Sequence, residues 1–78
     1  MKNILQFDIS YEDGVYTASG RDASIVTFGT TFEQLESNIR EAVSLFFEGE
    51  QPADLGFVAS PLIRTNYELP TIAYGGQA

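Results

Sequence analysis

Between Leu5 and Ser19, two runs of alternating apolar and polar residues flank Asp13-Gly14, a pattern that a β-hairpin satisfies and little else does. Leu5, Phe7, Ile9 and Tyr11 alternate with Gln6, Asp8, Ser10 and Glu12, and Val15-Tyr16-Thr17-Ala18-Ser19 follows the turn. A type I′ turn needs positive φ at both central residues, which Asp-Gly tolerates well. A two-residue loop there pairs Glu12 with Val15, Tyr11 with Tyr16, Ile9 with Ala18 and Phe7 with Gly20. The intervening pairs are Ser10 with Thr17 and Asp8 with Ser19. One face of the ribbon is therefore apolar and the other polar, as the pleat requires.

The rest of the chain supplies what covers the apolar face. Gly20-Arg21-Asp22-Ala23 reads as a turn, and Ser24-Ile25-Val26-Thr27-Phe28 as a β-branched strand ended by Gly29. Thr31-Phe32-Glu33-Gln34 has the form of a capping box, in which the Thr31 hydroxyl takes the Gln34 amide and Gln34 reaches back. From there Phe32, Leu35, Ile39, Ala42, Val43 and Phe46 form one stripe of a helix over residues 32–48, with Gly49 as its stop. Residues 49–61 form a connector with one helical turn started by Pro52 and stopped by Gly56. Ile63, Thr65, Tyr67 and Leu69 then alternate with polar residues in a last strand closed by Pro70, which Thr71 to Tyr74 could extend or pair. The order β-β-β-α-β predicts an α+β fold, an antiparallel sheet with one amphipathic helix on one face. Residues 1–74 make one domain and residues 75–78 a flexible tail.

With 78 residues, the chain has room for one modest core. There is no cysteine and no histidine, so disulfides, thiolate metal sites and the commonest metal ligand are excluded. Self-association, as a dimer or higher oligomer, is the staple that remains. No apolar run is long enough to span a membrane, and the N-terminus is too polar for a signal peptide, so a cytoplasmic protein is expected. A net charge of −7 repels phosphate and argues against nucleic-acid binding. Such a charge serves solubility, and it also suits a basic protein partner.

Chemistry is scarce. Nucleophile–base pairs built on histidine or cysteine are impossible, and no glycine-rich phosphate loop precedes a lysine. Asp8, Glu36 and Glu68 are the one carboxylate set that invites comparison with a two-metal nuclease site. The hairpin register opposes it, because Asp8 lies on the polar face while the helix covers the face of Phe7, Ile9 and Tyr11. Glu36 is instead placed to pair with Arg40 one turn on. No catalytic residue, cofactor or metal site is expected. Ser10, Thr17, Ser19 and Thr27 would make the uncovered face a hydroxyl-bearing platform, solvated or used for docking. Leu45, Phe47, Phe57 and Tyr74 are apolar residues that one helix-on-sheet layer could leave exposed.

Glu12-Asp13-Gly14-Val15-Tyr16-Thr17-Ala18, then Ile25-Val26-Thr27-Phe28-Gly29, then the run Thr30 to Val43 together resemble the HicB antitoxin family. That family shows a D-G-containing hairpin, a short strand ending near glycine, and T-x-E-E-A/L-x-x-N-I-x-E-A before a hydrophobic helix end. The resemblance covers residues 4–50 and implies a partial ribonuclease H-like fold without catalytic acids. It also implies a role, since HicB proteins bind and neutralise HicA toxins, small basic ribonucleases that cleave messenger RNA. Two departures stand out. Gly20-Arg21-Asp22-Ala23-Ser24 replaces a P-x-L-P-G-C-type segment, and the residues after Glu48 do not form a C-terminal DNA-binding domain. The resemblance is thus to a short, stand-alone HicB-like type.

The expected function is a non-catalytic protein-binding module that neutralises a small basic HicA-type ribonuclease. The alternative is an orphan, self-associating structural or adaptor domain without a toxin partner. The last strand, with prolines nearby, is nominated as a contact edge through Phe57, Ile63, Thr65, Tyr67 and Leu69.

Overall fold

The computed structural model describes residues 1–69. In chain order it forms β1 (Lys2–Glu12), β2 (Val15–Gly20), β3 (Val26–Gly29), helix α1 (Phe32–Phe47), a single 3-10 turn (Pro52–Leu55) and β4 (Phe57–Tyr67). The expectations placed on Pro70, on Thr71 to Tyr74 and on the 75–78 tail lie outside the described residues.

The hairpin has the anticipated register throughout, from Glu12 opposite Val15 to Phe7 opposite Gly20. Its turn depends on φ of 53° at Asp13 and 78° at Gly14, the pair of positive values a type I′ turn demands. The helix begins at Thr31, whose Oγ1 accepts the Gln34 amide at 3.0 Å. Gln34 Oε1 reaches back one residue further than in a simple capping box, accepting the Thr30 amide at 2.6 Å and the Thr30 hydroxyl at 3.0 Å. The helix ends at Glu48, with Gly49 beyond it at φ 74°. Pro52 opens the 3-10 turn, and Gly56 closes it in the left-handed region.

The sheet corrects one expectation. It is mixed, in the order β3-β2-β1-β4, with β4 running parallel to β1. The reason is a matter of direction. β1 and β3 run one way and β2 the other, and α1, about 24 Å long from its 16 residues, carries the chain back to the end where β3 began. The strand that follows must then run with β3 and β1. β4 also starts earlier than its alternation suggests, at Phe57, because the pairing slips. β1 advances from Lys2 to Ile4 while β4 advances from Phe57 to Leu62, and Pro61, which has no amide to donate, lies inside that irregular stretch.

Leu5, Phe7, Ile9, Ala18, Ile25, Leu35, Ile39 and Phe57 form the buried core, with Ala42, Val43, Phe46 and Phe47 packed against it. The helix thus covers the face that the hairpin register selected. Thr27 pairs with Ala18 and so belongs to the helix side, whereas Val26 and Phe28, opposite Ser19 and Thr17, lie exposed on the open face. The open face is therefore not the purely hydroxylated platform expected from the sequence, because β3 lines one margin of it with apolar side chains.

Candidate protein-docking surface

Helix α1 crosses the sheet chiefly above β3 and β2, the two strands farthest from β4. The helix-side flank of β4 is left open as a result. The register places Ile63, Thr65 and Tyr67 of β4 beside Leu5, Phe7 and Ile9 of β1, so these three side chains point toward the helix layer without a helix directly over them. Between the strand and the helix runs a groove. Its larger part, about 240 Å³, lies over Ile9, Leu35, Ile39 and Thr65 with Phe32, Glu33 and Glu36 along the helix wall. A smaller part of about 120 Å³ continues past Arg40 and Ile63.

The groove opens onto an aromatic cluster at the hairpin end of the sheet. Tyr16 stacks at 4.5 Å on Tyr11 from β1 and at 4.5 Å on Phe32 from the helix start. Tyr67 closes the group edge-on, 5.3 Å from Phe32 and 6.1 Å from Tyr16. Such pairings contribute about 0.5–1.5 kcal/mol each beyond the area they bury. The cluster nonetheless keeps much of its surface, with Tyr11 52% and Phe32 46% exposed. Glu33 and Glu36 line the groove wall beside Phe32, and Arg40 lies one turn further along the helix. The apolar, electron-rich patch is therefore bordered on its helix side by the Glu33 carboxylate, whereas Glu12 has the parity of Asp8 and belongs to the open face.

Three ion pairs form among the described residues, one of them between Lys2 and Asp22 at 3.7 Å. Asp8 and Arg21 meet on the open face at 2.8 Å. The Arg21 hydrogen bond, helped by its positive charge and by Asn66, holds the Asp8 carboxyl below the usual carboxylate range, and burial opposes this. Glu36 pairs with Arg40 at 3.1 Å along the helix, as its spacing suggests. Asp8 and Glu36 lie on opposite sides of the sheet, and among the described residues no cluster of three or more acidic, histidine or cysteine side chains could hold a metal. No helix among those residues is long and apolar enough to cross a membrane.

Of the nominated contact residues, Ile63 and Thr65 line the groove, Tyr67 joins the aromatic cluster, and Leu69 is 77% exposed just past β4. Phe57 is 2% exposed, packed 5.5 Å from the Phe47 ring and beneath Lys2 Nζ at 5.8 Å, so its side chain belongs to the core and not to the surface. Phe47 is likewise drawn in, and Leu45 is exposed. Sequence reasoning missed Tyr11, Tyr16, Phe32 and Glu33 as parts of one surface. The signal lay in the Tyr11–Tyr16 cross-strand pair, but it becomes a site only once Tyr67 is placed parallel beside Ile9.

Comparison with protein-family models, with curated proteins and with solved structures gave no match to this chain.

Proposed function

We propose that this chain is a non-catalytic protein-binding module that holds a small basic protein against the aromatic end of its sheet and the adjoining α1–β4 groove. The observation that carries the reading is the Tyr11–Tyr16–Phe32–Tyr67 cluster, exposed at Tyr11 and Phe32, with the Glu33 and Glu36 carboxylates on the adjoining groove wall. Arginine and lysine side chains bind the faces of tyrosine and phenylalanine with about 0.5–1 kcal/mol each at exposed sites, and neighbouring carboxylates add charge-assisted hydrogen bonds. The net charge of −7 steers a basic partner toward the complex and makes the encounter rate fall with salt.

The resemblance to HicB antitoxins gives this partner a specific form, a HicA-type messenger-RNA ribonuclease, and relates the domain to the partial ribonuclease H-like fold. The separation of Asp8 from Glu36 supports an inert scaffold. Co-expression with the small basic protein encoded beside this chain tests the reading: a complex that survives purification at low salt and weakens as salt rises is the expected result. Absence of a complex at low salt would sink it.

A further inference from the structure

We propose that the outer edge of β4 pairs antiparallel with the same edge of a second copy, in one register, centred on Asn66. Among the described residues β4 has β1 on one side and no strand on the other, and it is the longer of the two edge strands, with 11 residues against four in β3. An unprotected edge of that length is a template for strand addition. Within β4 the one proline, Pro61, lies in the irregular stretch before the residues that would pair, Ile63 onward.

Charge selects the register. The chain has four basic residues, and three are engaged: Lys2 with Asp22, Arg21 with Asp8 and Arg40 with Glu36. Arg64 is the one basic side chain among the described residues without an ion pair, and it stands exposed on β4. Two antiparallel copies of one strand are related by a two-fold axis normal to the sheet, so each residue and its partner share a face. When Asn66 faces its own copy, Arg64 falls opposite Glu68 of the other strand, Thr65 opposite Tyr67, and Ile63 opposite Leu69. The ion pair forms twice, and two exposed apolar pairs are covered on the helix side. Sliding the register by two residues toward the start of β4 sets Arg64 against Asn66 and Glu68 against Leu62. Sliding by four sets Arg64 against itself, which is repulsive.

The same axis keeps both helices on one face of the eight-stranded sheet, so two α1–β4 grooves would flank a shared floor. This pairing goes beyond the binding of a basic partner and does not require one. Its test uses the chain alone, so failure here leaves the binding proposal standing, and the reverse holds.

Sedimentation velocity of the full chain at low salt should show a dimer. Arg64→Glu and Glu68→Arg should each weaken it by roughly tenfold or more, since each reversal turns two attractive cross-strand pairs into repulsive ones. The double variant R64E/E68R should restore dimerisation. Both positions are exposed, and unchanged far-UV circular dichroism would verify that each variant is folded. A monomer at about 100 µM would overturn the proposal. So would a dimer indifferent to the single reversals, or a charge-swapped chain that stays monomeric.

Discussion

Gly29 lies directly beneath Leu35: a Cβ at Gly29 would stand 2.5 Å from the Leu35 amide nitrogen and 2.7 Å from its Cα. β3 and the first turn of α1 therefore meet backbone to backbone, at the point where the chain leaves the sheet and starts the helix. Gly29→Ala must displace the helix, because no flexible side chain is available to yield. Overpacking of this kind costs about 1–3 kcal/mol and more where only backbone can move. Gly14→Ala makes the contrast, since nothing lies within 4 Å of it and only its φ of 78° is strained, at about 1 kcal/mol. Urea denaturation of the two variants should rank Gly29→Ala as clearly the less stable. Equal midpoints would mean that the helix start is not seated on β3.

The helix start has a second anchor in Thr31. Its Oγ1 takes the Gln34 amide, and Gln34 ties Thr30 in return. Thr31→Ala should cost about 1 kcal/mol, which in a domain of this size lowers Tm by roughly 4–8 °C. Thr31→Ser should retain nearly all of the stability, because the hydroxyl is what the Gln34 amide needs. Thermal denaturation of both variants checks this, and an unchanged Tm for Thr31→Ala would show that the cap contributes nothing.

These local features were legible in the sequence because each is set within a few residues. A two-residue I′ loop leaves one hairpin register, and a capped apolar stripe leaves one helix face. Glu36 and Arg40 meet because four residues make about one turn. The direction of β4 is different, since alternation reports which side chains share a face and is silent on which way a neighbouring strand runs. Phe57 was placed at the surface because the slip around Pro61 breaks the two-residue period that Ile63 to Leu69 obey. Thr27 was misplaced because Ile25, Val26 and Phe28 offer apolar residues at both parities, so β3 carries no clear pattern of its own. The docking surface inherits both difficulties. Ile63, Thr65 and Tyr67 could be read from alternation, but their association with Phe32 and Tyr11 depends on the parallel placement of β4.

Asp8 and Arg21 bind each other across the turn after β2, with Arg21 Nε donating to the carboxylate at 2.8 Å. Because the carboxyl is held below its ordinary range in the folded chain, its contribution is present above the unfolded carboxylate pKa. It is lost as pH falls through the depressed folded value. A double-mutant cycle with Asp8→Asn and Arg21→Gln, read by urea denaturation, should therefore show a favourable coupling at pH 7 that shrinks as pH drops toward 3. The pair is solvent-exposed, so added salt should weaken the coupling at pH 7 as well. A coupling that persists in acid would assign it to packing and not to charge.

Tyr11 and Phe28 allow the docking surface to be separated from mere exposure of aromatic rings. They are 52% and 56% exposed respectively, but Tyr11 stands in the aromatic cluster that Glu33 borders while Phe28 lies on the opposite face of the sheet. If binding follows exposed hydrophobic area, Tyr11→Ala and Phe28→Ala should weaken a basic partner equally. If it follows the rings and the Glu33 carboxylate beside them, only Tyr11→Ala should do so, by about tenfold or more as for a ring at the centre of an interface. Glu33→Lys, beside the same rings, should add to that loss and reduce the salt dependence of the encounter, whereas a lysine placed at Ser19 on the open face should change the rate only through net charge. Titration calorimetry of the four variants against the partner gives the affinities, and stopped-flow mixing at two salt concentrations gives the rates. Loss of affinity in Phe28→Ala with Tyr11→Ala unaffected would move the binding surface to the open face of the sheet.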